Sequence, residues 1–529
     1  MRTTRAAALG LVVFLFGTPG RANETPVKGK IVATDLFKNG LAVVTCEVTL
    51  GKPGTYVLAD VPQPVHGTYW VESAGRVETA VKVRDVDVPA GDAAPGDPQE
   101  DFAGKKVTLT FTGAGRPPVV GTMMKLKPAK PAAAAARARV FALQTAKGRV
   151  YVDATEVAAV EAEDAGDTVT RRQPRLLLTL AATDKPETKV TLRYLTLGLS
   201  WTPSYRIDIT DPKTLTLEQG AAVRNELADL DGAEVRLISG YPSVQFAGVR
   251  SLLAPPTTWA SFFSELNSAS SRESDRNTNV YMGQGGSPNS FGSPNPPGLG
   301  ATPTGEGVDL HYEPIGKRSI AEGETVSLTV ATGKADYERV VEWLVPDARN
   351  EYGQAEARSN GRERAEDDVW DALKFKNPLA FPMTTGPATV TAHGRFNGQR
   401  ASYWVNPGEE TVLRVEKTLS VRTRATETDQ SVKEGDGRIV VRVAGRLNVR
   451  TPVDGELTVG NYRKEAVKVL IRRRFSGELV KADGAPATVR LGEGVASVNK
   501  RNELVWTITL KPGEEQTLKY SYTVLMPHY

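Results

Sequence analysis

The chain has 529 residues, of which 40% are hydrophobic and 24% charged, with a formal net charge of +4 and a single cysteine. A chain of this length can bury several hydrophobic cores and is expected to fold as about three or four domains. The small net charge gives no reason to expect nucleic acid as a partner, and one cysteine excludes an internal disulfide framework.

Residues 1–22 have the pattern of an export signal, with two arginines, an apolar run and a small-residue cleavage site. The predicted mature protein begins at Asn23 and is a soluble exported protein, periplasmic or extracellular and associated with the cell envelope. The signal carries three arginines and no acidic residue, so its removal lowers the formal charge from +4 to +1. No later stretch is apolar over the roughly 18 residues that a transmembrane helix needs.

Alternating apolar residues predict a mainly β protein of several antiparallel β-sandwich or barrel domains with very little helix. Residues 23–90 form the first predicted domain. Within it, Asn39-Gly40 lies between two apolar runs and predicts a β-hairpin with a type I′ turn, because both residues tolerate positive φ. Closely spaced short strands over residues 100–165 predict a small SH3-like β-barrel.

Residues 175–415 are predicted to form a β-sandwich, and residues 416–529 a C-terminal β-sandwich. The segment 263–308 is rich in Ser, Asn, Gly and Pro and poor in apolar residues, so it is predicted to be a disordered insert. A flexible arm that contacts a ligand is the alternative. Residues 365–375 are the best candidate for a short helix, with acids early and lysine late.

The stretch "LGLSWTPSYRIDIT" contains Trp201, Pro203 and Tyr205 within an alternating run. Side chains at alternate positions of a strand lie on one face, so Trp201 and Tyr205 are predicted to pack one sheet on another, with the proline at a strand entry or edge. A ligand site at these residues is the less favoured reading.

A turn signal recurs three times along the chain. Pro407-Gly408 and Pro512-Gly513 are each followed by two glutamates and an alternating strand, and residues 321–330 resemble both. Proline followed by glycine suits the central positions of a type II turn. The three turns predict sandwich-type hairpins, the last of which pairs the strands around Trp506 and Tyr520 on one buried face.

The sequence contains no assembled catalytic constellation, and we expect no catalytic residue, cofactor or metal site. Neither the four histidines nor the cysteine have metal-ligand spacing, and phosphate-binding loops and nucleophile elbows are absent. Cys46 is predicted to be a small buried hydrophobe. Two carboxylates could catalyse glycoside hydrolysis, and the acidic pairs are Asp85 with Asp87, Asp208 with Asp211, and Asp367 with Asp368.

Aromatic and basic residues give two further candidate surfaces. Exposed tryptophans could stack on sugars, although most of the seven are predicted to lie in cores: Trp70, Trp201, Trp259, Trp343, Trp370, Trp404 and Trp506. The run Arg472, Arg473 and Arg474 alternates within a strand pattern, and is either a binding patch on the surface or a solvated strand face.

A family resemblance lies in four stretches, taken in order: the run from Trp201 onward, "LEQGAAVRNELADLDGAEVRLISGYP", "ATVTAHGRFNGQRASYWVNPGEETVLRV" and "ELVWTITLKPGEEQTLKYSYTVLMP". Together they resemble the C-terminal module of bacterial mucoidy-inhibitor-A-like proteins, a domain of unknown function. Residues 28–85 look like that family's N-terminal β-domain. The predicted small barrel stands in place of the family's coiled-coil segment, Leu230 in place of a tryptophan, and His393 in place of an aspartate. The resemblance implies an envelope-associated β-rich protein and carries no catalytic residues.

The leading hypothesis is therefore a non-enzymatic envelope scaffold or interaction module whose partner is an envelope protein or polysaccharide. The alternative is a carbohydrate-binding or carbohydrate-processing protein that uses exposed tryptophan or an acidic pair. A third hypothesis is self-assembly through edge strands or through the insert.

Overall fold

The computed structural model describes these residues: 24–89, 98–113, 115–126, 140–162, 168–181, 187–240, 242, 244–255, 257–271, 310–350, 352–354, 369–430, 440–443, 445–492 and 498–527. The structure is 66% strand and 5% helix, so the predicted mainly β fold with very little helix is confirmed. The predicted export signal and most of the predicted insert lie outside the described residues.

Within the described residues, the secondary structure comprises thirty strands and a few helical segments. The strands are β1 Glu24–Pro26, β2 Lys30–Phe37, β3 Leu41–Leu50, β4 Gly54–Leu58, β5 Trp70–Ser73, β6 Val77–Pro89, β7 Lys106–Phe111, β8 Val119–Met123, β9 Val140–Thr145, β10 Gly148–Asp153, β11 Val157–Ala162, β12 Thr168–Leu180, β13 Thr188–Leu197, β14 Leu199–Asp208, β15 Thr214–Asn225, β16 Leu230–Ser239, β17 His311–Ile320, β18 Thr325–Val345, β19 Val369–Lys376, β20 Gly386–Ala392, β21 Arg395–Ser402, β22 Glu410–Lys417, β23 Val421–Asp429, β24 Val440–Val443, β25 Arg446–Asn461, β26 Val467–Ser476, β27 Glu478–Ala482, β28 Ala487–Gly492, β29 Arg501–Leu510 and β30 Glu515–Pro527. The helical segments are α1 Pro98–Asp101, the 3₁₀ turn Ala154–Glu156 and α2 Trp259–Ser271.

The chain divides into two compact units, which are described separately. The first unit takes the described residues within 1–34, 43–197 and 244–275, and the second takes those within 35–42, 198–243 and 276–529. In the first unit, β1, β4, β12 and β6 form a four-stranded sheet in that order. Because β12 pairs with both β4 and β6, this sheet includes residues beyond the predicted segment 23–90.

The predicted barrel at 100–165 is a five-stranded sheet of order β10-β9-β8-β7-β11. Its buried core contains Val107, Leu109, Met123 and Leu143. In the described part of the chain β10 pairs only with β9, and β11 only with β7, so the sheet has two edges and does not close. The five short strands are as predicted, but the closed barrel is wrong.

In the second unit, a ten-stranded mixed sheet runs β21-β20-β14-β15-β18-β26-β29-β28, and β19 and β22 pair alongside β18. A five-stranded sheet contains β23, β25, β30 and β27, with β24 beside β25. The 21-residue strand β18 pairs with β15 over its first half and with β19 and β26 over its second half. The ten-stranded sheet therefore continues across the predicted division at residue 416.

Three local predictions are corrected. The expected helix at 365–375 is strand β19 where the structure describes it, from Val369 on, because its side chains are buried between β18 and β22. Conversely, residues 263–271 of the expected disordered insert belong to helix α2, which buries Phe262. At Asn39-Gly40 the chain turns as predicted, but only Gly40 has positive φ, so the turn is not type I′.

The three recurring turns form as predicted, with positive φ at Gly323, Gly408 and Gly513. Each closes with a backbone hydrogen bond from the glutamate after the glycine to the first turn residue. They do not make hairpins, however. The strands on either side of each turn pair with other strands, and β29 and β30 belong to different sheets. Their apolar residues still meet in one core, which contains Trp506 and Tyr520.

Each of these turns lies beside a buried asparagine, and the three arrangements share a common set of hydrogen bonds. The asparagines are Asn225, Asn377 and Asn461. In each case the backbone of the asparagine exchanges two hydrogen bonds with the turn, donating to the glutamate carbonyl and accepting from the glycine N–H. Its side-chain amide donates to the carbonyl just before the turn, over 2.9 to 3.1 Å.

The strands around each asparagine also pair in the same way. The strand before the asparagine pairs with the strand after the turn, as in β15 with β18, β19 with β22, and β25 with β30. The chain after the asparagine pairs with the chain before the turn, as in β16 with β17 and β26 with β29. The second unit thus contains three copies of one double-arch module, in which a single asparagine joins two chain reversals.

Candidate anion-binding face

Two carboxylates are buried on the side of the ten-stranded sheet that faces away from the C-terminal core. Glu342 of β18 is 4% exposed and Glu503 of β29 is 1% exposed. Residues opposite each other in a ladder share a face, which places Trp370 beside Glu342, and Arg474 beside Glu503. A buried carboxylate requires a charged or hydrogen-bonding partner, and both glutamates have arginines.

Three arginines alternate with these two carboxylates in a row across the sheet. Arg414 Nε lies 2.7 Å from Glu342 Oε2, and Arg472 Nη1 lies 3.4 Å from the other oxygen of the same carboxylate. Arg472 also donates to Glu503 over 2.7 and 2.9 Å, and Arg474 Nε reaches Glu503 Oε2 at 2.9 Å. The order is therefore Arg414, Glu342, Arg472, Glu503, Arg474.

The glutamates hold these guanidinium groups mainly through Nε. In the part of the chain that the structure describes, the Nη groups of Arg414 and Arg474 make no hydrogen bond. The arginine side chains remain 27% to 36% exposed. Burial lowers the pKa of Arg472, but Glu503 and Glu342 raise it above its ordinary value overall, so the cation persists. Charged donors are thus fixed in position with free N–H groups toward solvent.

The row continues onto two further cations around Trp370. The ring is 3% exposed, and Arg400 lies 4.2 Å from its centroid, Lys417 5.6 Å and Arg414 5.9 Å. We call the five cations, Arg400, Arg414, Lys417, Arg472 and Arg474, the arginine face. Arg414, Arg472 and Arg474 alone outnumber the two glutamates that hold them by one positive charge, before Arg400 and Lys417 are counted.

Arg473, the middle residue of the predicted basic patch, lies on the opposite side of β26 and is 2% exposed. The prediction of one three-arginine surface patch is therefore wrong at this position, because successive side chains of a strand point to opposite faces. Arg473 donates to Tyr520 Oη over 2.7 Å and to Glu427, Pro346 O and Arg474 O.

Glu427 is the common acceptor of this inner network. It receives hydrogen bonds from Tyr520 over 2.8 Å and from Tyr522 over 3.4 Å. Close by, Nη2 of Arg349 donates to both carboxylate oxygens of Asp429, over 2.6 and 2.7 Å. Burial raises the pKa of both tyrosines, and although burial lowers the pKa of Arg473, Tyr520 and Glu427 raise it overall. The hydroxyls stay protonated and the guanidinium stays charged, so the network is a fixed polar brace.

The sequence profile of a domain of unknown function, DUF4139, matches residues 190–528, which is more than half of the chain and includes the arginine face and the inner network. The chain belongs to the DUF4139 family. A search of curated protein sequences found no match. All three double-arch modules also lie within the DUF4139 match.

The predicted structural motif of the DUF4139 domain lies in β14. Trp201, Pro203 and Tyr205 share the buried face of this strand, and Trp201 is 1% exposed. Its Nε1 donates to the Ile238 carbonyl over 3.0 Å, while Tyr205 Oη both donates to and accepts from the backbone of Thr384. Pro203 pairs with β15, and pairing with β20 begins only at Tyr205.

Among the acidic pairs, Asp208 and Asp211 cap turns of the DUF4139 domain. Hydrogen bonds from the side chain and backbone of Thr210 lower the pKa of Asp208, and backbone N–H groups of Lys213 and Thr214 lower the pKa of Asp211. A general acid needs the opposite shift. Asp85 is exposed and 4.0 Å from Lys125. Asp367 and Asp368 lie outside the described residues.

The tryptophans divide into buried and exposed sets. Trp201, Trp343, Trp370 and Trp506 are buried, Trp404 is half-buried, and Trp70 and Trp259 are exposed. Trp259 of α2 stacks on Phe263 with centroids 5.5 Å apart, and both rings face solvent.

In the first unit, Cys46 is half-buried, and burial, with Asp60 and Glu47 nearby, raises the pKa of its thiol to about 11.

The arginine face was missed at the sequence level, although it leaves a signal. Glu342 and Glu503 each interrupt an apolar strand, in "VVEWLV" and "NELVW". An acid at such a position must find a cation on a neighbouring strand.

Within the described residues, no group of three His, Cys, Asp or Glu is arranged to hold a metal ion, and no helix is long and apolar enough to cross a membrane.

Proposed function

We propose that the protein is exported and acts as a non-enzymatic scaffold or interaction module of the cell envelope, holding an anionic partner on the arginine face. The observation that carries this proposal is the row of three arginines held by two buried carboxylates. Arginine is favoured where carboxylates or phosphates are recognised, because its planar fork matches them and loses little freedom on binding.

The proposed location rests on two sequence features. Residues 1–22 carry the pattern of an export signal, and the ordered resemblance to mucoidy-inhibitor-A-like proteins points to the envelope. The arginine face suits such a place, since exported proteins meet anionic glycans and acidic protein surfaces there.

The test is retention of envelope components by the immobilised mature protein, residues 23–529. The double variant Arg400→Ser/Lys417→Ser removes two exposed cations and leaves Glu342 and Glu503 with Arg414, Arg472 and Arg474, so the fold should persist. We expect retention of the partner to fall about 10-fold, because an exposed ion pair contributes on the order of 0.2–1 kcal/mol and two such contacts are lost.

The matched control is Arg206→Ser/Lys519→Ser, which removes the same charge from side chains that are 60% and 65% exposed elsewhere in the second unit. It should retain the partner as the unmodified protein does. Equal loss of retention in both double variants would mean that the net charge of the protein alone governs binding. Unchanged retention in the Arg400/Lys417 variant would refute the proposal.

A second candidate function, binding of a neutral glycan, is favoured by one observation in the first unit. Trp259 and Phe263 present stacked, exposed rings, and an aromatic face can pack on the apolar face of a sugar. In the same retention assay, Trp259→Ala should release a neutral glycan while Trp70→Ala, at an equally exposed tryptophan, should not. Identical glycan retention by all three proteins would exclude this candidate.

A further inference from the structure

We infer that the ligand of the arginine face is an acidic polysaccharide that carries a series of carboxylates, and that Glu342 and Glu503 are positioning residues for it. The inference rests on the proposed function and names the chemistry of the partner. Three features of the face carry it: the linear order of the charges, the way in which each guanidinium is held, and the burial of the aromatic ring.

The linear order favours a polymer over a small anion. Arg414 and Arg472 occupy the two oxygens of Glu342, and Arg472 and Arg474 share Glu503. Arg472 and Arg474 are two residues apart on one strand, a separation of about 6.7 Å along β26. One small anion reaches two neighbouring guanidiniums at most, whereas a chain with repeated anionic groups engages the whole row and the two cations beyond it.

The way in which each guanidinium is held favours carboxylates as the anionic groups of the ligand. Glu342 and Glu503 already show how these arginines bind a carboxylate: Arg414 and Arg474 donate through Nε, and Arg472 donates to Glu503 through Nε and Nη2, at 2.7 to 2.9 Å. The Nη groups of Arg414 and Arg474 that remain have the planar geometry that matches another carboxylate. Since the buried glutamates fix the side chains beforehand, little rotamer entropy is lost when a ligand binds.

The absence of protruding aromatic side chains from the arginine face, as far as the structure describes it, favours a sugar chain over a membrane as its ligand. Surface helices and patches that bind lipid combine cations with protruding aromatic or aliphatic side chains that enter the acyl boundary. Here the aromatic ring of the face, Trp370, is 3% exposed and is covered by Arg400. The cations lie along a sheet, where an extended chain can follow the row.

Glu503→Gln separates positioning from simple electrostatics. The substitution keeps the size of the side chain and makes the net charge of the face more positive by one. If charge alone governs binding, affinity for a polyanion should rise. If Glu503 positions Arg472 and Arg474, their loss of order should weaken binding about 10-fold despite the added charge. The sign of the change therefore decides the role of Glu503.

The probes are polygalacturonate, neutral dextran, dextran sulfate and vesicles of anionic phospholipid, titrated into the mature protein by calorimetry. We expect saturable binding of polygalacturonate that weakens with added salt, with neutral dextran inert. Arg400→Ser/Lys417→Ser should weaken this binding about 10-fold. Glu338→Gln is the matched control for Glu503→Gln, because its exposed carboxylate pairs with Lys468 between the same two strands that hold Glu342 and Arg472.

Glu342→Gln repeats the test if Glu503→Gln does not fold, as judged by circular dichroism and thermal unfolding. Binding of vesicles or dextran sulfate without polygalacturonate overturns the inference, as does tighter binding by both glutamine variants. If the protein retains an envelope protein through the arginine face and ignores polygalacturonate, the proposed function stands and this inference fails. If retention does not depend on the arginine face at all, both fail.

Discussion

Trp201→Ala should lower the free energy of unfolding of the second unit by about 3 to 5 kcal/mol, the usual cost of removing a buried large aromatic side chain. Trp201 is 1% exposed in β14, so truncation leaves a cavity in a packed interior. It also leaves the Ile238 carbonyl without the indole N–H that lies 3.0 Å from it. Urea denaturation followed by circular dichroism measures the change.

Trp201→Phe is the matched variant, since it keeps most of the apolar volume and removes the indole N–H. We expect it to cost about 1 to 2 kcal/mol, of which the lost hydrogen bond is the main part. Thr202→Ala, at the exposed neighbouring position of the same strand, should change stability by less than about 0.5 kcal/mol. A stable, well-folded Trp201→Ala protein would contradict the assignment of Trp201 to the core.

The alternation of apolar residues predicted strands well but not their partners. Around Trp506 and Tyr520, the two strands flanking the Pro512-Gly513 turn read as a hairpin, because both have one apolar face. In the structure these faces meet across a core while the strands belong to different sheets. A period of two specifies which face is buried, and both arrangements bury the same residues, so the pattern could not distinguish a hairpin from an arch.

The expected helix at 365–375 failed for a different reason. Acids early and a lysine late favour a helix by a fraction of a kcal/mol. The strand that forms instead, β19, buries Trp370, Leu373 and Phe375 between two neighbours. Burial of each such side chain contributes about 1.5 to 3 kcal/mol. Long-range packing therefore outweighs the local preference, and no window of eleven residues contains that information.

The double-arch modules show what a short repeat can and cannot reveal. The glycine and the following glutamate were visible, because they lie together in the sequence. The asparagine was not, since it precedes its turn by a different length of chain in each module. In all three, its side-chain carbonyl accepts from a backbone N–H two residues later. Its amide donates to two carbonyls in the first two modules and to three in the last. This full use of a buried amide explains why asparagine recurs there.

The division of the arginine run into two faces links the core of the domain to its surface. Arg472 and Arg474 point to the arginine face, and Arg473 points into the inner network from the same strand. The arginine run itself does not indicate which carboxylate each side chain meets, because these partners come from β18, β23 and β29 by long-range pairing. The inner network holds β26 in place, and the strand in turn presents the two outward arginines.

Glu427→Ala should therefore destabilise the second unit by about 3 to 5 kcal/mol, because it leaves the guanidinium of Arg473 buried without its carboxylate. The hydroxyls of Tyr520 and Tyr522 lose their acceptor in the same step. Asp429→Asn is the control. That carboxylate is 41% exposed in its pair with Arg349, so its loss should cost about 1 kcal/mol or less.

The double variant Glu427→Leu/Arg473→Met tests whether the cost comes from the unpaired charge. Replacing both partners with apolar side chains removes the buried charge, so the double variant should lose less stability than the sum of the two single variants, by more than about 1 kcal/mol. Additive losses would mean that the two residues act independently. Arg473 anchors the strand that carries Arg472 and Arg474, so a variant that restores stability should also restore binding at the arginine face. Recovery of stability without recovery of binding, or the reverse, would show that the inner network and the arginine face are uncoupled.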